Sequence, residues 1–264
     1  MGIVRLPNLR NYWSNKPVYG GHPIGTRVMP RNRFEKLLAN LHLNDNSSFD
    51  GKDRLHKIRP YLDFLNEACQ RVYHPGKDIC IEESLIPFRG RIVFKQYIPN
   101  KRHRYGIKLF KLCCKGGYTY KKHVYAGKDD VRTGSLGESV VLSLMDSLLD
   151  QGRRLFTDNY YTSLPLAEKL VKRKTHMIGT IGKNRKRLPK AITTRKLKQG
   201  MIFAQQNRRG VTVLKWRDRR DVLMLSTTHD DSRVGQGKPK VVEDYNKAKL
   251  FVDTPIEWPL LRHF

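Results

Sequence analysis

Apolar residues recur at helical spacing early in the chain and in strand-like runs after it. Following Pro30, the residues Phe34, Leu37, Leu38 and Leu41 satisfy the i, i+3, i+4, i+7 rule, and Leu62, Leu65, Cys69 and Val72 repeat it after Pro60. Residues 1–78 thus read as a mostly helical region, with the polar stretch 44–53 as the loop between two helices. Strand signals then take over. Segments 79–86, 105–114 and 118–125 are rich in β-branched and aromatic residues, and Gly116-Gly117 parts the last two as a hairpin, which predicts three consecutive antiparallel strands.

Ser135 followed three residues later by Glu138 is a capping box, and Leu136, Val140, Val141, Leu144 and Leu148 give the helix behind it an apolar stripe that should cover one sheet face. A strand at 154–157 ends at Asp158-Asn159, and a helix carrying Leu164, Leu166, Ala167 and Leu170 leads to a strand at 175–180. That alternation implies parallel strands. Three antiparallel strands, then helix, strand, helix, strand, is the order of a ribonuclease-H-like sheet.

Residues 183–198 carry eight Lys or Arg among sixteen positions and read as an exposed basic arm. Short strands at 201–204, 211–216 and 222–226, with a turn at 207–210, suggest a small β insertion separate from the main sheet. A loop at 230–240 follows, and a helix resumes near Asp244. The predicted architecture is α/β: a ribonuclease-H-like mixed sheet flanked by helices, formed by 79–182 and 243–264, with a helical region at 1–78 and a basic insertion at 183–242.

Charge narrows the choice of partner. The 264 residues include 52 Lys and Arg against 24 Asp and Glu, a formal charge of +28 and a pI near 10.2. Such self-repulsion is relieved by a polyanion, and counterion release then drives binding. The charge is also segregated. Residues 84–128 hold twelve Lys or Arg and residues 169–217 hold sixteen, both without an acid, and Phe88, Phe94, Tyr97, Tyr105 and Phe110 interleave the first run. Solvated faces would explain shorter runs; runs of this length with interleaved aromatics favour a nucleic-acid surface. Cys69, Cys80, Cys113 and Cys114 lack paired CxxC spacing and read as reduced, mostly buried thiols. No stretch approaches the roughly 18 apolar residues of a membrane span, and no signal-peptide core opens the chain, so a soluble intracellular protein is expected, with neither membrane nor small-molecule substrate as partner.

Against this cationic background three acids stand out: Glu82 within the first strand, Asp158 just after a buried-type strand, and Asp253 near the end of the last helical segment. Phosphodiester cleavage by two metals uses acidic oxygen ligands around ions roughly 3.5–4 Å apart. Each acid also has an ordinary role open to it: Glu82 or Glu83 pairing with an Arg, Asp158 capping the following helix, Asp253 exposed. In the string Asp158 to Ser163, an acid directly after a strand with hydroxyls next places a carboxylate at a sheet edge beside a helix N-terminus. Of the nine histidines, those at 42, 56, 103, 123 and 176 show no metal spacing, and Trp216 and Trp258 read as packing anchors, with Trp216 between Lys215 and Arg217 also able to face DNA.

Several strings resemble the piggyBac transposases: Pro75-Gly76-Lys77, Glu82 through Arg91, Tyr97 through Lys101, Thr157 through Ser163, Gly179-Thr180, Asn184-Arg185-Lys186, Leu188-Pro189, Lys215 through Asp218, and Tyr245-Asn246 with Lys249 and Val252-Asp253. Tyr12-Trp13-Ser14, Arg31 through Phe34 and Leu41-His42 extend the resemblance over nearly the whole chain. It implies a cut-and-paste DNA transposase fold with DNA-binding and dimerisation helices, hence a homodimer, a TTAA target, and catalytic aspartates binding Mg²⁺ or Mn²⁺. The family's catalytic and metal positions fall on Glu82, Asp158 and Asp253, and a further family aspartate falls on Ile256. Glu82 is one methylene longer than the family's aspartate, and Ile256 has no ligand atom. Leu250 and Phe251 replace two glycines. These departures predict a transposase-derived DNA-binding protein with impaired strand cleavage. The family pattern continues past Phe264 into further core elements and a cysteine-rich zinc domain, so a C-terminally truncated core is expected.

Arg89, Arg91, Lys101, Arg102 and Arg104 read as phosphate clamps on duplex DNA, because Arg forks grip phosphate oxygens and Gly90 lets backbone approach; turn chemistry is the alternative. Lys183, Arg185, Lys186 and Arg187 form a second basic string. Its last three residues also read as a nuclear-import signal, which makes the nucleus the expected location.

Overall fold

A computed structural model describes residues 6–19, 24–99, 101, 103–127, 134–235 and 237–253, apart from the side chains of Pro17, Ile24, Thr26 and Asp253. The described residues fall into two compact units divided between Asp63 and Phe64. In the first, short helical turns precede α1 (Arg31–Ala39), and the start of α2 (Arg59–Val72) closes it. Trp13 Nε1 donates to Met29 O at 2.7 Å, its ring packs 5.2 Å from Phe34, and the Arg59 guanidinium forks Asp53 at 2.9 and 2.7 Å. The two amphipathic patterns read from the sequence are therefore the two α-helices.

The second unit is built on one sheet. Its strands are β1 (Asp78–Pro87), β2 (Gln96–Tyr97), β3 (Tyr105–Cys114), β4 (Thr119–Val124), β5 (Arg154–Thr157), β6 (His176–Thr180), β7 (Ile202–Gln206), β8 (Thr212–Arg217) and β9 (Asp221–Ser226). Their order is β2-β3-β1-β5-β6-β9-β8-β7, with β4 also on β3. β1 and β3 are antiparallel, while β1, β5 and β6 are parallel, joined by α3 (Leu136–Met145) and α4 (Leu164–Lys172). This is the mixed, helix-flanked ribonuclease-H-like order that the sequence predicts. Both crossover helices start as their caps require: Ser135 Oγ accepts from Glu138 N and Ser163 Oγ from Leu166 N, each at 3.3 Å.

Strand alternation sends Ile79, Ile81, Leu155 and Met177 to one face, under α3 and α4, and Cys80, Phe156 and Ile178 to the other, under α6 (Lys240–Asp253). The segment expected as a separate β insertion does fold as antiparallel strands, but it does not stand apart. β9 pairs with β6 from Ile178↔Ser226 to Thr180↔Met224, so β7–β9 extend the main sheet. The reason lies in β8, where Val213 belongs to one core and Leu214 and Trp216 to the other; buried on both faces, it behaves as a central strand. Even Lys215 there is only 3% exposed, its charge met by Asp221 at 3.1 Å and the Arg195 carbonyl at 2.6 Å. α5 (Lys190–Thr194) packs beneath these strands through Ile192. The four cysteines are free and buried, as expected, and no helix among the described residues is long and apolar enough to cross a membrane.

Candidate active site

Parallel pairing of Ile81 with Thr157 makes Glu82 and Asp158 the next residues on adjacent strands. Neighbouring strands run about 4.8 Å apart, so the two carboxylates leave the sheet side by side on the face covered by α6. Burial and then the nearby Asp158 charge push the Glu82 carboxyl above its ordinary range, while Lys101 and Lys249 pull it back. Burial also raises Asp158; the Tyr160 N–H, donating to Asp158 Oδ1 at 2.9 Å, opposes this, and the Glu83 charge adds to it. Among the described residues the Glu82 side chain makes neither a hydrogen bond nor an ion pair. Glu83 is neutralised: Lys108 reaches it at 2.6 Å and Lys101 at 4.0 Å, with the Lys108 ammonium also over the rings of Phe110 and Tyr160.

The loop bearing Asp158 is tightly braced. The Asp158 carbonyl accepts from Thr162 N at 3.1 Å and from Thr162 Oγ1 at 2.7 Å, and that hydroxyl lies 2.8 Å from Thr157 Oγ1. On β6, a side chain at Gly179 would collide with the carbonyl oxygen of Thr157 and with Thr162 Oγ1, so only glycine lets β6 lie this close. Arg185 closes the loop from outside, its guanidinium donating to the carbonyls of Asn159 and Tyr160.

α6 brings two residues to the acids to which sequence reading assigned no role. Tyr245 hydrogen-bonds Thr180, and its phenol is pushed up to about 12 by burial, with the Cys80, Asp158 and Glu82 charges adding. Lys249, one turn on, is the second cation acting on Glu82, after Lys101. Their i, i+4 spacing was the available signal. Asp253 follows another turn later in α6; its side chain lies outside the described residues, as do Arg102, Ile256 and Trp258. Among the described residues no group of three or more metal-capable side chains converges, so the described acid pair is Glu82 and Asp158.

The profile of the Transposase IS4 family matches residues 1–256. The chain belongs to this family and is of the piggyBac type. It is 28% identical over 235 residues to the human PiggyBac transposable element-derived protein 3, covering 86% of this chain and 40% of that protein. It is 27% identical over 230 residues to the human PiggyBac transposable element-derived protein 2, covering 82% of this chain and 38% of that one. A cryo-EM structure of a piggyBac transposase synaptic complex with hairpin DNA superposes with a TM-score of 0.78 at 32% identity, over 86% of this chain and 50% of the transposase. The chain thus spans half or less of the length of these relatives.

On this piggyBac-type core the basic residues fall into two groups. Arg89, Arg91 and Arg104 are exposed around the β2–β3 hairpin, and Lys101 leans from the same hairpin toward the acids. In the second string, Lys183 lies 3.7 Å from Asp221, Arg185 braces the Asp158 loop, and Arg187 reaches the buried Glu168 at 3.3 Å, which Arg209 also engages at 2.5 Å. Lys186, between the two tethered arginines, is exposed.

Proposed function

We propose that the chain is a DNA-binding protein derived from a piggyBac-type transposase, in which strand cleavage dependent on Mg²⁺ or Mn²⁺ is impaired. The observation that carries this reading is the β1–β5 register, which sets Glu82 and Asp158 together under α6 with Lys101 and Lys249 nearby. Two half-buried carboxylates that repel each other offer hard oxygen donors to a divalent cation, so the residues present fit such an ion. Glu82 and Asp158, with Asp253 from α6, would hold it. When bound, it would supply Lewis-acid polarisation of a phosphodiester and a more acidic water.

The chain's own residues do the rest. Arg89, Arg91, Arg104 and Lys101 draw phosphates toward the sheet edge without reading base sequence, so binding is salt-dependent and weakly selective. The braced loop holds Asp158 in place. Glu82 carries one methylene more than the family's aspartate, and a displacement of about 1 Å costs roughly a hundredfold in rate. Loss of the family acid at Ile256 adds to the deficit. Nuclear location and a homodimer follow from the same reading.

The test is nicking of supercoiled plasmid, with and without a TTAA-flanked element end, in Mg²⁺ and in Mn²⁺. The natural chain is expected to bind with a steep salt dependence and cut little, and Glu82→Asp to cut more. Efficient cutting by the natural chain that vanishes in Asp158→Ala would overturn the impairment and restore an active cut-and-paste enzyme.

A further inference from the structure

The β2–β3 hairpin carries a feature that phosphate binding leaves unexplained. Tyr97 and Tyr105 are cross-strand partners whose ring centroids lie 4.8 Å apart, tilted by 39°. Both are more than half exposed, at 53% and 56%. Cross-strand packing of the two rings accounts for their contact with each other, while their outer π faces stay open to solvent and to a planar ligand. Basic residues flank the pair in the chain: Arg104 precedes Tyr105 and its carbonyl accepts from Ile98 N at 2.8 Å, while Lys101 lies in the same turn.

Alternation along β3 puts Tyr105 on the same sheet face as Lys111, the register partner of Glu82. The two positions are about 20 Å apart along the strand at about 3.4 Å per residue. From the same turn Lys101 extends to Glu83 and acts on both Glu82 and Asp158. The aromatic pair therefore shares a sheet face with Glu82, and the hairpin that carries the pair also sends Lys101 toward the acids.

Resting on the DNA-binding reading above, we propose that Tyr97 and Tyr105 form a stacking platform for an unpaired nucleobase of the bound strand. The chemistry is that of single-strand recognition, in which π faces accept any base while neighbouring cations hold the backbone. The pair would thus favour DNA that is splayed or melted beside the acids over a perfect duplex.

The experiment uses the whole chain and two fluorescent DNAs of equal length. One is fully paired; the other has a four-nucleotide unpaired stretch containing 2-aminopurine. The natural chain is expected to bind the unpaired DNA about tenfold more tightly and to quench the 2-aminopurine, in keeping with about 1–3 kcal/mol per stacked base. Tyr97→Leu/Tyr105→Leu should abolish both the preference and the quenching while leaving the salt dependence of duplex binding unchanged, and Tyr97→Phe/Tyr105→Phe should retain them. Equal binding of the two DNAs by the natural chain overturns the platform but leaves duplex binding standing, whereas binding of neither overturns both. Preference retained in the double leucine variant, with altered sedimentation of the free protein, would assign the pair to a contact between copies and overturn the proposal.

Discussion

The strands β1 and β5 carry charge at both ends, and the two ends are built on opposite rules. At the start of the pair, Asp78 and Arg154 are register partners joined by two 2.6 Å contacts, and Arg154 also reaches Asp244 of α6 at 3.1 Å. Asp244 in turn meets His229 at 3.0 Å, whose Nδ1 lies 2.9 Å from Ser226 Oγ. At the far end, Glu82 and Asp158 face each other, and among the described residues no arginine pairs with either. The first end is matched and holds α6 to the sheet; the second is unmatched and stores repulsion that a cation would relieve. Burial alone would raise Asp244, but the His229 hydrogen bond and charge and the Arg154 charge bring it below the usual carboxylate range, whereas Glu82 and Asp158 are both raised.

Removing charge should therefore have opposite signs at the two ends. The largest effect is expected for Arg154→Met, which strands Asp78 and Asp244 partly buried. A loss of about 3 kcal/mol in urea unfolding is expected, at the lower limit for a broken buried pair because the site is not fully dry. A loss below about 1 kcal/mol would mean the network does not anchor α6. Next comes Gly179→Ala, which forces a methyl against the Thr157 carbonyl and should cost about 2 kcal/mol. It would show that the backbone at the unmatched end is rigid although its charges are not satisfied; a neutral result would mean the Asp158 loop yields easily.

The smallest and most discriminating change is Glu82→Gln, expected to stabilise the metal-free protein slightly at pH 8, because it removes one of two half-buried charges that repel each other. The pH dependence carries the same sign. Raised acids favour the folded state while protonated, so their contribution is present below the unfolded value near 4 and lost as pH rises through their raised values. Asp244 behaves oppositely, its contribution being lost as pH falls through its lowered value. Thermal melts from pH 4 to 8 should show the natural chain falling behind Glu82→Gln as pH rises, with Mg²⁺ closing the gap at pH 8 and not at pH 4. A natural chain more stable than Glu82→Gln at pH 8 without metal would remove the repulsion.

How much of this was legible in the sequence follows from the range over which each signal acts. Period and capping are local, and α3 with its Ser135 cap, α4 and the strands read from apolar alternation lie where the sequence puts them, while the cap of α4 falls on Ser163 rather than on Asp158. The membership of β7–β9 in the main sheet is not local. Val213 and Leu214 read alike as strand residues, and only the pairing of β6 with β9 reveals that they serve different cores. The acids were visible as scarce charges, but their adjacency depends on the register of strands whose paired residues are 76 positions apart, such as Asp78 and Arg154. The structural contacts of Arg185 and Arg187 were not legible, because nothing in the chain order marks the Asn159 and Tyr160 carbonyls, or Glu168, as their neighbours.

The position of α6 in the chain also sets an order in time. β1, β3 and β4 follow one another closely and can pair early, and β5 and β6 add in sequence under α3 and α4. The second face stays open to water until α6 has been made. At roughly 5–20 residues per second, the chain between Asp158 and Asp253 takes about 5–20 s to emerge from a ribosome. For those seconds the two acids are hydrated and feel little of each other. The helix that finally covers them brings Asp244 to Arg154 in the same docking event, so burial of Val241, Val242 and Ala248, together with that matched pair, supplies the drive to close the unfavourable end.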